Sequence, residues 1–155
     1  MENEAKQGDF VVSSDRTRID LAMVHAFLTK AYWAEGITRE VVRRSIQHSL
    51  CFGLYHHDKQ IGFARVITDN ATFGYLGDVF VLEEYRGRGL GKWLVGVVMA
   101  HPQLQGFRRW MLLTRDAHLL YKPVGFKALA NPERWMERSD PGIYQRGASG
   151  TAPRG

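Results

Sequence analysis

The residues from Val79 to Lys92 read Val-Phe-Val-Leu-Glu-Glu-Tyr-Arg-Gly-Arg-Gly-Leu-Gly-Lys. An apolar strand ends there, a basic glycine-rich turn follows, and Leu90, Leu94, Val97 and Val98 then recur at helical spacing. The start of such a helix leaves backbone N–H groups unpaired, and the helix dipole adds positive potential. Glycines let the backbone approach a phosphate closely, so the chemistry of this stretch is anion binding. Arg86, Arg88 and Lys92 add full charges. Two familiar phosphate loops do not fit. A Walker A loop requires Gly at position 86 and Ser or Thr after Lys92, where Arg86 and Trp93 stand. The dinucleotide fingerprint matches at Gly87 and Gly89 but meets Lys92 at its third glycine, and no early βαβ unit precedes it. A glycine turn that merely joins strand to helix is the competing reading, and the three cations weigh against it.

Other residues carry potential chemistry singly. Tyr121 closes a short helix expected over Asp116–Tyr121, with Asp116 as its N-cap. Asp78 stands among Leu76, Val79 and Val81, and a carboxylate in a central strand is costly unless paired or functional. It reads as a functional group, against the alternative of an edge carboxylate facing solvent. Tyr32, Trp33 and Glu35 lie in the link between two helices, where Trp33 suits a core as well as a binding wall. Arg65, in the second strand, faces either an acidic group of a substrate or solvent. Cys51, between Leu50 and Phe52, reads as a buried, inert thiol. The six histidines form no metal-ligand pattern, and His56-His57 beside a turn reads as solvated, so no metal is expected.

The elements that must position these residues follow from periodicity. A short strand is expected at 8–14, and a helix over Ile19–Lys30 with Leu21, Val24, Phe27 and Leu28 on one face. Thr38 caps a second helix lined by Val41, Val42 and Ile46. Strands over Leu50–His56, Gln60–Thr68 and Phe73–Leu82, joined by turns at Asp58-Lys59 and Asp69-Asn70, form an antiparallel meander. A helix over Gly89–Met99, a strand over Trp110–Leu113, the short helix and a last strand at Phe126–Leu129 complete an α+β domain.

At 155 residues there is room for one domain of ordinary size. Twenty-one Lys and Arg against sixteen Asp and Glu leave a net charge of +5, which suits an anionic partner. Arg108-Arg109 beside Trp110 is weak support for nucleic acid, and none is expected. A single cysteine excludes an internal disulfide. The polar start and the lack of a roughly 20-residue apolar run point to a cytoplasmic chain without membrane contact. The stretch Gly147–Gly155 reads as a flexible tail of low complexity.

Arg86-Gly87-Arg88-Gly89-Leu90-Gly91 after an apolar strand resembles motif A of the GCN5-related N-acetyltransferases, (Gln/Arg)-x-x-Gly-x-(Gly/Ala). A second family feature, a short helix running through Tyr to Gly-Phe, is similar to Leu119-Leu120-Tyr121-Lys122-Pro123-Val124-Gly125-Phe126. The resemblance covers roughly residues 8 to 130. It implies a domain over 1–130 and an extension over 131–155, with a mixed, mainly antiparallel sheet splayed between its fourth and fifth strands, here 73–82 and 109–114. It implies acetyl-CoA as co-substrate, with the pyrophosphate on Arg86, Gly87, Arg88, Gly89, Leu90, Gly91 and Lys92. The pantetheine arm would pair with the backbone of Val79, Phe80 and Val81. Tyr121 matches the tyrosine that protonates the departing thiolate, and Asp116 stands where relatives have an asparagine near pantetheine. Tyr32, Trp33 and Asp78 would fall in the acceptor region. Since several relatives that acetylate small amines carry an acidic residue there, the resemblance implies that Asp78 is an amine-binding group or base. Lys122-Pro123 departs from the residues usual after the tyrosine. The expected acceptor is a small-molecule, peptide or protein amine, and a homodimer is common in the family. The alternatives are transfer from another acyl-CoA, and a non-catalytic CoA-binding or regulatory module.

Overall fold

The sheet of this protein is built almost entirely by chain neighbours. In a computed structural model that describes residues 3–147, six strands lie in the spatial order of the sequence. They are β1 (Glu4–Gln7), β2 (Phe10–Ser13), β3 (Leu50–His56), β4 (Lys59–Thr68), β5 (Phe73–Val81) and β6 (Arg109–Leu112). All pairs are antiparallel except β5 with β6, which is parallel. The connection from β5 to β6 carries a helix, as a parallel pair requires.

Helices cover both faces. On one side lie α1 (Leu21–Leu28) and α2 (Arg39–Gln47). Asp20 caps α1 by accepting the Met23 N–H at 3.1 Å, and Thr38 caps α2 by accepting that of Val41 at 3.3 Å. Val24, Leu28, Val42 and Ile46 bury against Cys51, Phe63 and Phe80. On the other side lie α3 (Leu90–Met99) and α4 (His118–Tyr121). There Leu90, Leu94, Val95 and Val98 bury against Phe52, Leu54, Val66 and Leu76. Truncating a buried leucine such as Leu94 to alanine costs about 2–5 kcal/mol.

One irregularity in β5 shapes everything that follows. Phe63 pairs with Phe80 and Arg65 with Gly77, so β4 advances two residues while β5 advances three. Side chains four apart in a regular strand share a face. Leu76 and Phe80 nonetheless enter opposite cores. The extra residue is a β-bulge centred on Asp78, whose φ of 53° is left-handed. Aspartate tolerates that conformation better than most non-glycine residues. A bulge re-aims the side chain that sits in it.

A second irregularity opens the sheet. β5 pairs with β6 from Phe73↔Arg109 to Leu76↔Leu112, and there the ladder stops. Strands 73–82 and 109–114 therefore diverge as expected, although an additional first strand makes them fifth and sixth. That strand, β1, was not foreseen, because Glu-Ala-Lys-Gln shows no apolar alternation. The strand expected at Phe126–Leu129 does not form; Phe126 instead packs into the core, edge-on to Tyr121. The expected tail lies outside the described residues beyond Gly147. Among the described residues, no helix is long and apolar enough to cross a membrane.

Candidate functional site

The divergence of β5 and β6 creates a cleft of about 940 Å³. Its walls come from the β5 bulge, the loop before α3, the start of α4 and the link between α1 and α2.

At one end, the loop 86–89 leads into α3. Gly87 and Gly89 take φ of 81° and 76°, a region that a side chain makes costly. Gly89 is the N-cap of α3 and offers no side-chain oxygen. The first-turn N–H groups of the helix are thus left without a side-chain partner, beside Lys92. Gly91 is different: a Cβ there would meet Leu120 at 3.6 Å, an ordinary contact. Its missing side chain is not needed by the protein's own packing. The three expected cations divide in role. Lys92 and Arg86 both line the cleft, and Arg86 also donates from Nε to the Val81 carbonyl at 3.0 Å, tying the loop to β5. Arg88 sits over the Tyr85 ring at 5.3 Å and does not line the cleft.

Along the middle runs β5. Val79, Phe80 and Val81 line the cleft, and beyond Leu76 no partner from β6 covers their strand edge. An uncovered edge offers backbone N–H and C=O groups to an extended ligand. Tyr121 lies opposite on α4, buried to 8% exposure. Burial, reinforced by the nearby Tyr32, pushes its phenol up to about 12.

At the other end the bulge places Asp78. One carboxylate oxygen accepts from Arg65 Nε at 2.8 Å and the other from Trp33 Nε1 at 2.8 Å. Arg65 also donates to the Ser49 hydroxyl at 3.1 Å. Arg65 thus faces Asp78 rather than solvent. Trp33 is not a core residue: it is 42% exposed, and Tyr32 50%. The Tyr32 hydroxyl accepts the Arg115 N–H at 3.3 Å, and the Arg115 guanidinium lies 3.9 Å from its ring centre. Sequence reading singled out Asp78, Tyr32 and Trp33, but the bulge that joins them carries no signal in residue type or period.

Asp116 requires correction as a cap. The N-cap of α4 is Ala117, and it is the Thr114 hydroxyl that accepts the Ala117 N–H, at 3.0 Å. Asp116 is instead exposed, 3.6 Å from Arg115, although it does line the cleft. Cys51 is buried as expected, and burial pushes its thiol up to about 12. The His56 reading also changes. Its Nδ1 lies 2.9 Å from the Tyr85 hydroxyl, and with His57 and Asp9 it brings potential ligand atoms within 4.8 Å of one another. That group sits at the turns beside β2 and β3, apart from the cleft lining.

Comparisons with known proteins agree with this geometry. Residues 20–126 match the model of the acetyltransferase (GNAT) family. A Gibberella zeae protein with a provisional acetyltransferase name is 34% identical over 145 residues, spanning 78% of this chain and 81% of its own. A crystal structure of a protein assigned to the GNAT family from Xanthomonas campestris pv. campestris superposes with a TM-score of 0.85. It is 51% identical and covers 87% of this chain and 96% of its own. A Clostridium acetobutylicum protein solved with acetyl-CoA shares the fold, with a TM-score of 0.60 at 16% identity over 90% of this chain and 96% of its own. The glycine loop, the splayed strands and the match over 20–126 lead to one assignment: the chain belongs to the acetyltransferase (GNAT) family.

Proposed function

We propose that this protein transfers the acetyl group of acetyl-CoA to a primary amine by direct attack. The observation that carries this reading is the continuity of the cleft. It joins the start of α3, the uncovered edge of β5 and the buried Tyr121 to the Asp78 bulge. The residues fit the co-substrate: Lys92 and the N–H groups of the α3 start suit a pyrophosphate. The β5 edge at 79–81 suits an extended amide-bearing arm. The neighbour solved with acetyl-CoA supports the same choice. When bound, acetyl-CoA supplies a thioester activated toward amines.

The chain's own residues do the rest. Asp78 has one donor on each oxygen, and its remaining lone pairs orient the amine. A nitrogen–carbon bond forms and the carbon–sulfur bond breaks, with its electron pair passing to sulfur. Tyr121, with its pKa near 12, keeps its proton throughout the working range. Full transfer to a thiolate whose own pKa is about 8.5 is uphill, so Tyr121 first stabilises the sulfur by hydrogen bonding. The proton shed by the nitrogen balances the one the sulfur gains. Asp116 lines the cleft beside α4, which supports its contact with the arm of the co-substrate.

Calorimetric titration with acetyl-CoA tests the binding half. A Kd of about 1 μM to 1 mM is expected, the usual range for enzyme substrates. It should weaken in Lys92→Glu. A folded protein that takes up no heat with acetyl-CoA would remove the basis of the reading.

A further inference from the structure

The last described residues are the part of the chain that sequence reading left without a role. After Phe126 the chain forms no strand and runs through a 3-10 turn at Pro132–Arg134. Trp135 then receives the Arg109 guanidinium, at the start of β6, over its ring at 4.9 Å. The segment continues to α5 (Ile143–Gly147) on the opposite bank of the cleft. There Gln145 donates to Glu35 at 3.2 Å. Gly36, with a φ of 87°, lies so close beneath this helix that a Cβ would stand 3.1 Å from the Tyr144 carbonyl. Tyr144 packs against the core between α1 and α2 and lines the cleft together with Phe27, Trp33 and Tyr75. The segment is thus a strap, anchored at β6 and at the α1–α2 link, that delivers one aromatic ring to the acceptor end.

The chemistry of that end is uneven. Its carboxylate, Asp78, is already compensated by Arg65 at 2.8 Å. A polycation needs several free negative charges, and this end does not concentrate them. Aromatic surface, by contrast, is abundant and fixed. Trp33 and Tyr32 stand edge to face at 5.1 Å, stay half open to solvent, and are each pinned by a hydrogen bond. Large rings held open at a cleft mark a binding wall. A rigid ring offers contact area at little entropic cost.

Resting on the acetyltransferase reading above, we propose that the strap 131–147 completes the acceptor site and that Tyr144 is a specificity-determining residue. The amine it selects is carried on a flat aromatic or apolar body. Stacking and apolar contact hold that body, and Asp78 receives the amine.

The test is a comparison of acceptors at saturating acetyl-CoA, with 2-phenylethylamine and tryptamine set against spermidine and a lysine-containing peptide. Aromatic amines should lead by about tenfold or more in kcat/KM. Tyr144→Ala should raise their KM about fivefold or more, with acetyl-CoA affinity and Tm nearly unchanged, and Tyr144→Phe should restore the KM. If Tyr144→Ala lowers Tm substantially, Tyr144→Leu replaces it, since leucine refills part of the apolar volume while removing the ring and its hydroxyl. Preference for spermidine or the peptide would overturn the proposal while leaving the acetyltransferase reading intact. So would an unchanged KM in the Tyr144 variants. If acetyl-CoA binds but no amine of any kind releases thiol, the transfer reading itself falls.

Discussion

Tyr121 and Cys51 are held at similar pKa values, near 12, by the same cause and with opposite consequences. Burial keeps the proton on each. For Tyr121 that preserves a hydrogen-bond donor in the cleft, so the rate should rise with pH as the amine deprotonates, with no fall up to about pH 10. A falling limb between pH 8 and 10 would contradict Tyr121 as the donor. Tyr121→Phe should lower kcat by about 100-fold, the lower range for such a group, with little change in acetyl-CoA affinity. For Cys51 the retained proton removes the nucleophilic thiolate, so thiol reagents should label it only as fast as the fold opens. Asp78 shows where residue-level reading ends. Its unusual place in a strand was legible, but its partners Arg65 and Trp33 were not, because they lie 13 and 45 residues away and meet it only through the bulge. Removing one member of a buried ion pair costs about 3–5 kcal/mol. Less is expected for Arg65→Ala, since 17% and 11% of the two side chains remain exposed.

Elements with a strong apolar period were legible; those held by a partner elsewhere were not. Thr38 and the Val41, Val42, Ile46 face announced α2, and alternating apolar runs announced β3 to β5. β1 is polar and exists because its backbone pairs with β2, a cause that no residue type reports. Phe126 read as strand because it is aromatic, yet its place is against Tyr121. The start of α3 separates two roles that glycine plays. Gly89→Ala places a side chain at a φ of 76° and should destabilise the fold by about 1–2 kcal/mol. Gly91→Ala meets only ordinary contacts, so its unfolding midpoint should hold or rise by up to about 1 kcal/mol of stability. Acetyl-CoA affinity should hold as well in Gly91→Ala, since the family pattern that Arg86–Gly91 resembles accepts glycine or alanine at this position. A clear loss of affinity in that variant would contradict the match of this loop to the family pattern.

Across the whole molecule, the net charge of +5 acquires a location only in part. Lys92, Arg86 and Arg65 line the cleft, but Arg86 and Arg65 are also engaged by Val81 and Asp78, and Arg88 lies outside the lining, so the excess is not a simple phosphate-binding tally. Stability should carry its own pH signature through His101. Its ring is buried at 1% exposure, and its Nδ1 accepts the Gln103 N–H at 3.1 Å. Burial lowers its pKa below the ordinary 6.5, so the unfolded chain takes up a proton before the folded one does. Its contribution is therefore intact above pH 6.5 and lost as pH falls below it toward the depressed folded value. Denaturant unfolding of His101→Phe should show a smaller loss over that window than the parent protein. An α+β domain was legible from element order, and the splay between 73–82 and 109–114 from the family resemblance. The path of residues 131–147 was not, because its anchors, Glu35 and Arg109, are remote in sequence from Gln145 and Trp135. The most direct measurement is thiol release from saturating acetyl-CoA across a panel of primary amines, with the product identified by mass. Amine-dependent release with one acetyl group gained by the amine is the expected result. Tight acetyl-CoA binding without amine-dependent release, by a protein with an intact Tyr121, would contradict transfer and leave only a CoA-binding module.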